Sequence, residues 1–222
     1  MTQPVFESFN VPFHYDNSEM LDRARAIRDE LRLRRTVRDY DAKEVSREVI
    51  EACIEAASTA PSGANKQPWH FVVVTDPVVK HEIRVYAEKE EIAFYAERAP
   101  QEWLDALAHI GTDHNKPFIE TAPVLIAIFA QNYEVDEDGR KLKNYYVQES
   151  VGIATGMLIA ALHHAGLSTL THTPSPMGFL SKILDRPKHE RAYLLLVVGH
   201  AAENAKVPKL TKKTASEVIS YI

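Results

Sequence analysis

Apolar residues recur at helical spacing from Met20 through Leu21, Ala24 and Ile27 to Leu31, a stripe that predicts one helix, with Asn17 or Ser18 placed to cap it. A second helix is predicted from Ser46, its face formed by Ile50, Cys53, Ile54 and Ala57, and Pro61 closes it. The β-branched run "WHFVVV" then predicts a strand. Asp76 and Pro77 form a cap and first-turn pair that opens a long charged helical region reaching Ile110, broken near Pro100. "APVLIAIFAQ" is apolar throughout and predicts a buried second strand. "NYEVDEDGRKL" is polar and turn-rich, an exposed connection.

From Tyr145 to Ala165 the chain is apolar almost all round, predicting a central helix that Gly166 ends in a left-handed cap. Gly152 and Gly156, one turn apart, leave room for another helix to approach. "LSTLTHT" predicts a third strand, "FLSKIL" a short helix and "YLLLVVGH" a fourth strand. No repeat or composition shift marks a linker. The prediction is therefore one α+β domain over residues 1–222, with an irregular start at 1–17 and a patterned but polar tail at 205–222.

Composition narrows the function classes. Of 222 residues, 45% are hydrophobic and 26% charged, and the formal net charge of −5 argues against a nucleic-acid partner. The longest charge-free apolar stretch, "SVGIATGMLIAAL", is shorter than the roughly 20 residues a bilayer requires. The start of the chain has no basic segment followed by an unbroken apolar run, so no membrane association is predicted and a cytoplasmic location is expected. A single cysteine excludes an intrachain disulfide and fits a reducing compartment; Cys53, on the apolar face of its helix, is assigned to the core.

Motif chemistry excludes more. None of the eight glycines builds a dinucleotide fingerprint or a phosphate loop. The ten histidines include no H-E-x-x-H and there is no thiolate cage, so no metal site is predicted. Ser62 lies in "PSGA" ahead of a strand, the reverse of a nucleophile elbow.

What stands out is Arg32, Arg34, Arg35 and Arg38 in an acidic chain. One reading makes them partners of a helix C-terminal dipole, each worth about 0.3 to 1 kcal/mol. The other makes them a site for a dianion, because guanidinium groups grip phosphate bidentately. The residues alone leave both readings open.

Taken together, "RRTVRDY", "APSGANKQPWHFVVV", "KPFIETAPVLI", "SVGIATGMLIAALHHAGLSTLTHTP" and "VGHAAENAKVPKL" resemble the nitroreductase superfamily of FMN enzymes, over roughly residues 30 to 215. The later motifs look most like its branch that reductively dehalogenates halogenated tyrosines. That resemblance implies an α+β fold with a mixed central sheet flanked by helices. It implies an intertwined homodimer, FMN sites built from both subunits, and a C-terminal segment crossing to the partner.

By the same resemblance, Arg34, Arg35 and Thr36 would hold the FMN phosphate, and Arg38 would face the pyrimidine edge of the flavin. Pro61, Ser62 and Gly63 would bring backbone to the ring. Thr171, His172 and Thr173 would line it, Thr173 acting catalytically by donating to flavin N5 and supporting electron transfer in single steps. Lys212 stands where the family has a phosphate-binding arginine, keeping the charge and losing the bidentate geometry. Glu91, Tyr95 and Lys116 would clamp the substrate's zwitterion as a lid, and the Ala64 N–H would meet its phenolate oxygen.

Animal members of this branch carry an N-terminal membrane anchor that this start lacks, which makes the chain resemble soluble bacterial members. The electron donor would be NAD(P)H or a separate reductase. A broad nitroaromatic or quinone reductase on the same fold, and a flavin or halotyrosine binder without turnover, are the alternative readings.

Overall fold

A computed structural model describes residues 3–10 and 12–222, so Met1, Thr2 and Val11 of the predicted irregular start lie outside the described residues. The chain divides into two compact units, Met1–Arg34 and Arg35–Ile222. The first contains helix α1 (Asn17–Leu33). Its cap is Asp16, not Asn17 or Ser18: the Asp16 carboxylate accepts from the Glu19 N–H at 2.8 Å, and Asn17 is already the first helical residue. The predicted stripe is helical but exposed, with Met20, Leu21, Ile27 and Leu31 all outside any core.

The second unit is built on a four-stranded sheet of order β1-β2-β6-β5, where β1 is Trp69–Val74, β2 Val124–Gln131, β5 Ser168–His172 and β6 Glu190–Gly199. All three ladders are antiparallel. The parallel pairing is an isolated bridge between Thr36 and Thr169, outside these strands, which brings the arginine-rich segment alongside β5.

β2 and β6 alternate their side chains between two cores, as a sheet covered on both faces must. Leu125, Ala127, Phe129, Leu195 and Val197 face one core, closed by α3 (Pro77–Ala93), α5 (Phe118–Thr121) and α7 (Gly178–Ile183). Val124, Ile126, Ile128, Leu196 and Val198 face the other, closed by α2 (Arg47–Ser58) and α6 (Val147–His164). Cys53 is buried in that second core.

Three local expectations change. The polar connection folds as a small hairpin, β3 (Tyr133–Val135) on β4 (Lys141–Lys143), with Gly139 at φ 78° in its turn. The central helix starts at Val147 because Tyr146 sits at φ 50°, outside helical space. Among the described residues no helix uses the Gly152–Gly156 gap. A Cβ at Gly152 would meet the Tyr193 hydroxyl of β6 at 3.1 Å, and one at Gly156 would meet nothing within 4 Å.

The charged region after Asp76 is α3, a π-helical turn (Phe94–Arg98) and, past Pro100, α4 (Gln101–Ala108). Asp76 caps α3 by accepting from the Val78 and Val79 N–H groups. The tail has no regular secondary structure apart from α8 (Ala215–Val218), which carries a Thr214/Glu217 capping box. Among the described residues no helix is long and apolar enough to cross a membrane.

Candidate functional site

The site forms where the arginine-rich segment meets the end of β5. Val37 N–H donates to the Thr169 carbonyl at 3.3 Å, and the buried Tyr40 hydroxyl donates to the Val197 carbonyl at 3.2 Å. Between these anchors, Arg38 turns toward a cleft of about 250 Å³. Thr171, His172 and Thr173 form the wall beside it, and Glu91, Tyr95 and Lys116 converge from the other side. Seven of the residues picked from the sequence thus meet in one cavity.

The far wall comes from α3 and the segment after α4. Glu91 lies in the last turn of α3 and Tyr95 in the π-helical turn that follows, where irregular helix geometry re-aims side chains at functional sites. Lys116 is 3% exposed, its Nζ 3.3 Å from Glu91 Oε2. That ammonium also donates to Thr112 Oγ1 at 3.2 Å and to the Asp113 carbonyl. Burial first, and the Glu91 charge second, push the Tyr95 phenol up against an opposing hydrogen bond with Thr112. Tyr95 is therefore a neutral hydrogen-bonding phenol at physiological pH.

His172 is the most perturbed group in the cleft. Burial, then the positive charges of Lys116 and Arg38, depress its imidazole to about 3, so the ring is neutral. Phe118 meets it edge-on at 5.9 Å. Its Nε2 and the Nε of Arg38 are both buried without a hydrogen-bond partner. Buried polar groups are almost always paired, so two orphans lining one cavity mark groups that await a ligand. A planar, acceptor-rich ring system such as a flavin suits that pair.

The remaining predicted residues do not line this cleft. Pro61, Ser62, Gly63 and Ala64 form a turn against the start of α6: Gly63 N–H points at Ser150 Oγ at 3.4 Å, and Ser62 Oγ accepts from Gln67 N–H at 2.9 Å. A side chain at Gly63 would lie 2.7 Å from the Tyr145 carbonyl, which makes glycine obligatory there. Ala64 is exposed at φ 52°, a left-handed conformation unusual for alanine.

Arg34 caps the C-terminus of α1, its N–H donating to the Leu31 carbonyl at 3.2 Å. Arg35 donates through Nη2 to the Pro208 carbonyl, and Thr36 pairs through its backbone with Thr169. Lys212 is exposed on the tail.

The sequence reading missed Phe94, Trp103, Leu107, Thr112 and Phe118, which with Leu170 and Ser175 complete the lining. Trp103 and Leu107, four residues apart on an amphipathic helix, could have been found by that spacing; Thr112 and Phe118 carry no such signal.

The nitroreductase family model matches residues 31–200. An iodotyrosine deiodinase of Haliscomenobacter hydrossis is 53% identical over 205 residues, covering 92% of each chain. The human iodotyrosine deiodinase 1 is 42% identical over 214 residues, 95% of this chain and 74% of the human one. A crystal structure of oxidized iodotyrosine deiodinase bound to FMN and 3-iodo-L-tyrosine superposes with a TM-score of 0.74 at 29% identity, covering 88% of this chain and 98% of that one.

Proposed function

Because the chain belongs to the nitroreductase family, we propose that it is an FMN-dependent reductive dehalogenase that converts halogenated tyrosine to tyrosine and halide. The observation that carries this reading is the convergence of Glu91, Tyr95 and Lys116 on the cavity that also presents Arg38 and Thr171 to Thr173. A clamp for an amino-acid zwitterion and a wall for a flavin share one space.

Replacing a carbon–halogen bond by carbon–hydrogen consumes two electrons and a proton, and FMN when bound and reduced supplies the electrons. The chain's own residues bind and orient. Arg34, Arg35 and Thr36 would hold the phosphate, with Lys212 adding a point charge. Arg38, permanently cationic, would stabilise negative charge at the pyrimidine edge in a site shielded from water. Thr173 would donate its hydroxyl to N5, flanked by Thr171 and by neutral His172.

On the substrate side, Lys116 and Tyr95 would take the α-carboxylate and Glu91 the α-ammonium, with the Ala64 N–H on the phenolate. In this structure Glu91 and Lys116 neutralise each other. An entering zwitterion exchanges that one ion pair for two, so neither buried charge is left uncompensated. A substrate lacking either charged group forfeits this exchange.

The turn Pro61–Ala64 and the tail 205–222 lie outside the cleft's lining, which fits a homodimer in which a second copy supplies them. The test combines two measurements on the flavin-loaded protein. Anaerobic incubation with dithionite and 3-iodo-L-tyrosine should release iodide, and quenching of flavin fluorescence should report tighter binding of iodotyrosine than of 2-iodophenol. Glu91→Gln should weaken iodotyrosine at least about tenfold, the low end of truncating a buried charge pair, without loss of flavin. Equal affinity for iodophenol would sink the clamp and favour a broad nitroreductase.

A further inference from the structure

α3 reaches Lys116 at two points. Glu91 takes the ammonium, and one turn earlier Glu88 Oε1 accepts the Lys116 backbone N–H at 2.7 Å. Residues three apart share a helix face, so two carboxylates grip the two ends of one residue. Glu88 is itself held: Arg84, one turn further back, donates to the same Oε1 at 2.8 Å and lies 3.5 Å from Glu120. The Lys80 ammonium then ties down the Glu120 and Ala122 carbonyls at 3.0 and 2.8 Å. Lys80, Arg84, Glu88 and Glu91 thus make a polar ladder that fastens the segment from Lys116 to Ala122 onto the helix carrying the clamp.

We infer that Glu88, which touches neither cleft nor ligand, is a positioning residue that sets where Lys116 presents its ammonium. The inference rests on the reading of Lys116 as the carboxylate ligand. A backbone N–H fixed by a charged acceptor fixes the Cα, and hence the origin of the side chain. Burial alone would raise the Glu88 carboxyl, but the Lys116 N–H and Arg84 outweigh it and keep it low, so the acceptor stays ionised. Without Glu88 the segment keeps its Lys80 anchor, so the effect falls on Lys116 before it falls on the fold.

The experiment titrates the flavin-loaded protein with 3-iodo-L-tyrosine and, separately, with 2-iodophenol, which has no group for Lys116. Glu88→Ala should weaken iodotyrosine about tenfold and leave iodophenol within about twofold, as expected for loss of one charge-assisted contact. Glu88→Gln, which retains a carbonyl oxygen for the N–H, should return near wild type. In a Lys116→Ala background, Glu88→Ala should have no further effect on iodotyrosine. Equal weakening of both ligands, or effects that add in the double variant, would overturn the inference alone. If Lys116→Ala leaves iodotyrosine binding intact, the clamp reading fails and takes this inference with it. Should Glu88→Ala not fold, Glu88→Met, which keeps bulk without an acceptor, carries the same comparison.

Discussion

His172 is a buried imidazole whose Nε2 has no partner and whose neighbours Arg38 and Lys116 are both cations. Its folded value of about 3 lies below the unfolded histidine value of about 6.5. Between those two pH values the unfolded chain binds the extra proton, so stability falls as pH drops from 6.5 toward 3, at up to about 1.4 kcal/mol per pH unit. The depressed carboxyls of Glu88 and Glu190 stabilise the fold above the ordinary glutamate range and lose that contribution only as pH falls through their lowered values. The window from 6.5 to about 4.5 therefore separates the His172 contribution from that of these two carboxyls. His172→Gln should flatten that part of a urea-denaturation stability profile; an unchanged slope would show that the ring does not stay neutral.

Two contacts at element ends hold the site's framework. Lys80, 7% exposed, donates to two carbonyls at the end of α5 that have no helical partner beyond them. Lys80→Met should cost about 1.5 to 3 kcal/mol in denaturant unfolding, the range for hydrogen bonds to a charged group. Retained stability would mean that water replaces the ammonium. The turn at Gly63 is limited by backbone rather than by a flexible side chain, because the atom 2.7 Å from a new Cβ is the Tyr145 carbonyl oxygen. Gly63→Ala should cost about 1 to 3 kcal/mol through overpacking and shift the Ala64 N–H. Iodotyrosine and iodophenol should then weaken together, since both present the phenolate.

Across the whole molecule, apolar surface is left open in patterned places: Met20, Leu21 and Ile27 on α1, Ile153 on α6, and Leu210, Val218 and Ile219 on the tail. Exposed apolar residues in such patterns suit contact with another chain, and under the proposed homodimer a second copy would supply the 61–64 turn to the cleft. Subunit mixing tests this. Gly63→Ala and Glu91→Gln, each impaired alone, should on co-expression regain activity from about a quarter of the sites, because half the dimers are mixed and each has one intact site under two-fold symmetry. No recovery would place turn and cleft in the same chain.

Local chemistry was legible in the sequence wherever the residues near one another along the chain decide the outcome. The Asp76–Pro77 cap, the "WHFVVV" and "APVLIAIFAQ" strands and the Gly166 stop all form where spacing predicts them, because helix periodicity, β-branching and proline's missing donor act over a few residues. The motifs also carried the identity of Arg38, Glu91, Tyr95, Lys116 and Thr171 to Thr173, which meet in one cavity. Tertiary structure alone decided the rest. His172 became neutral, and Glu88 became the holder of Lys116, only because elements dozens of residues apart desolvate one and hydrogen-bond the other. Desolvation and long-range pairing depend on which surfaces meet, and no pattern read along the chain encodes that meeting.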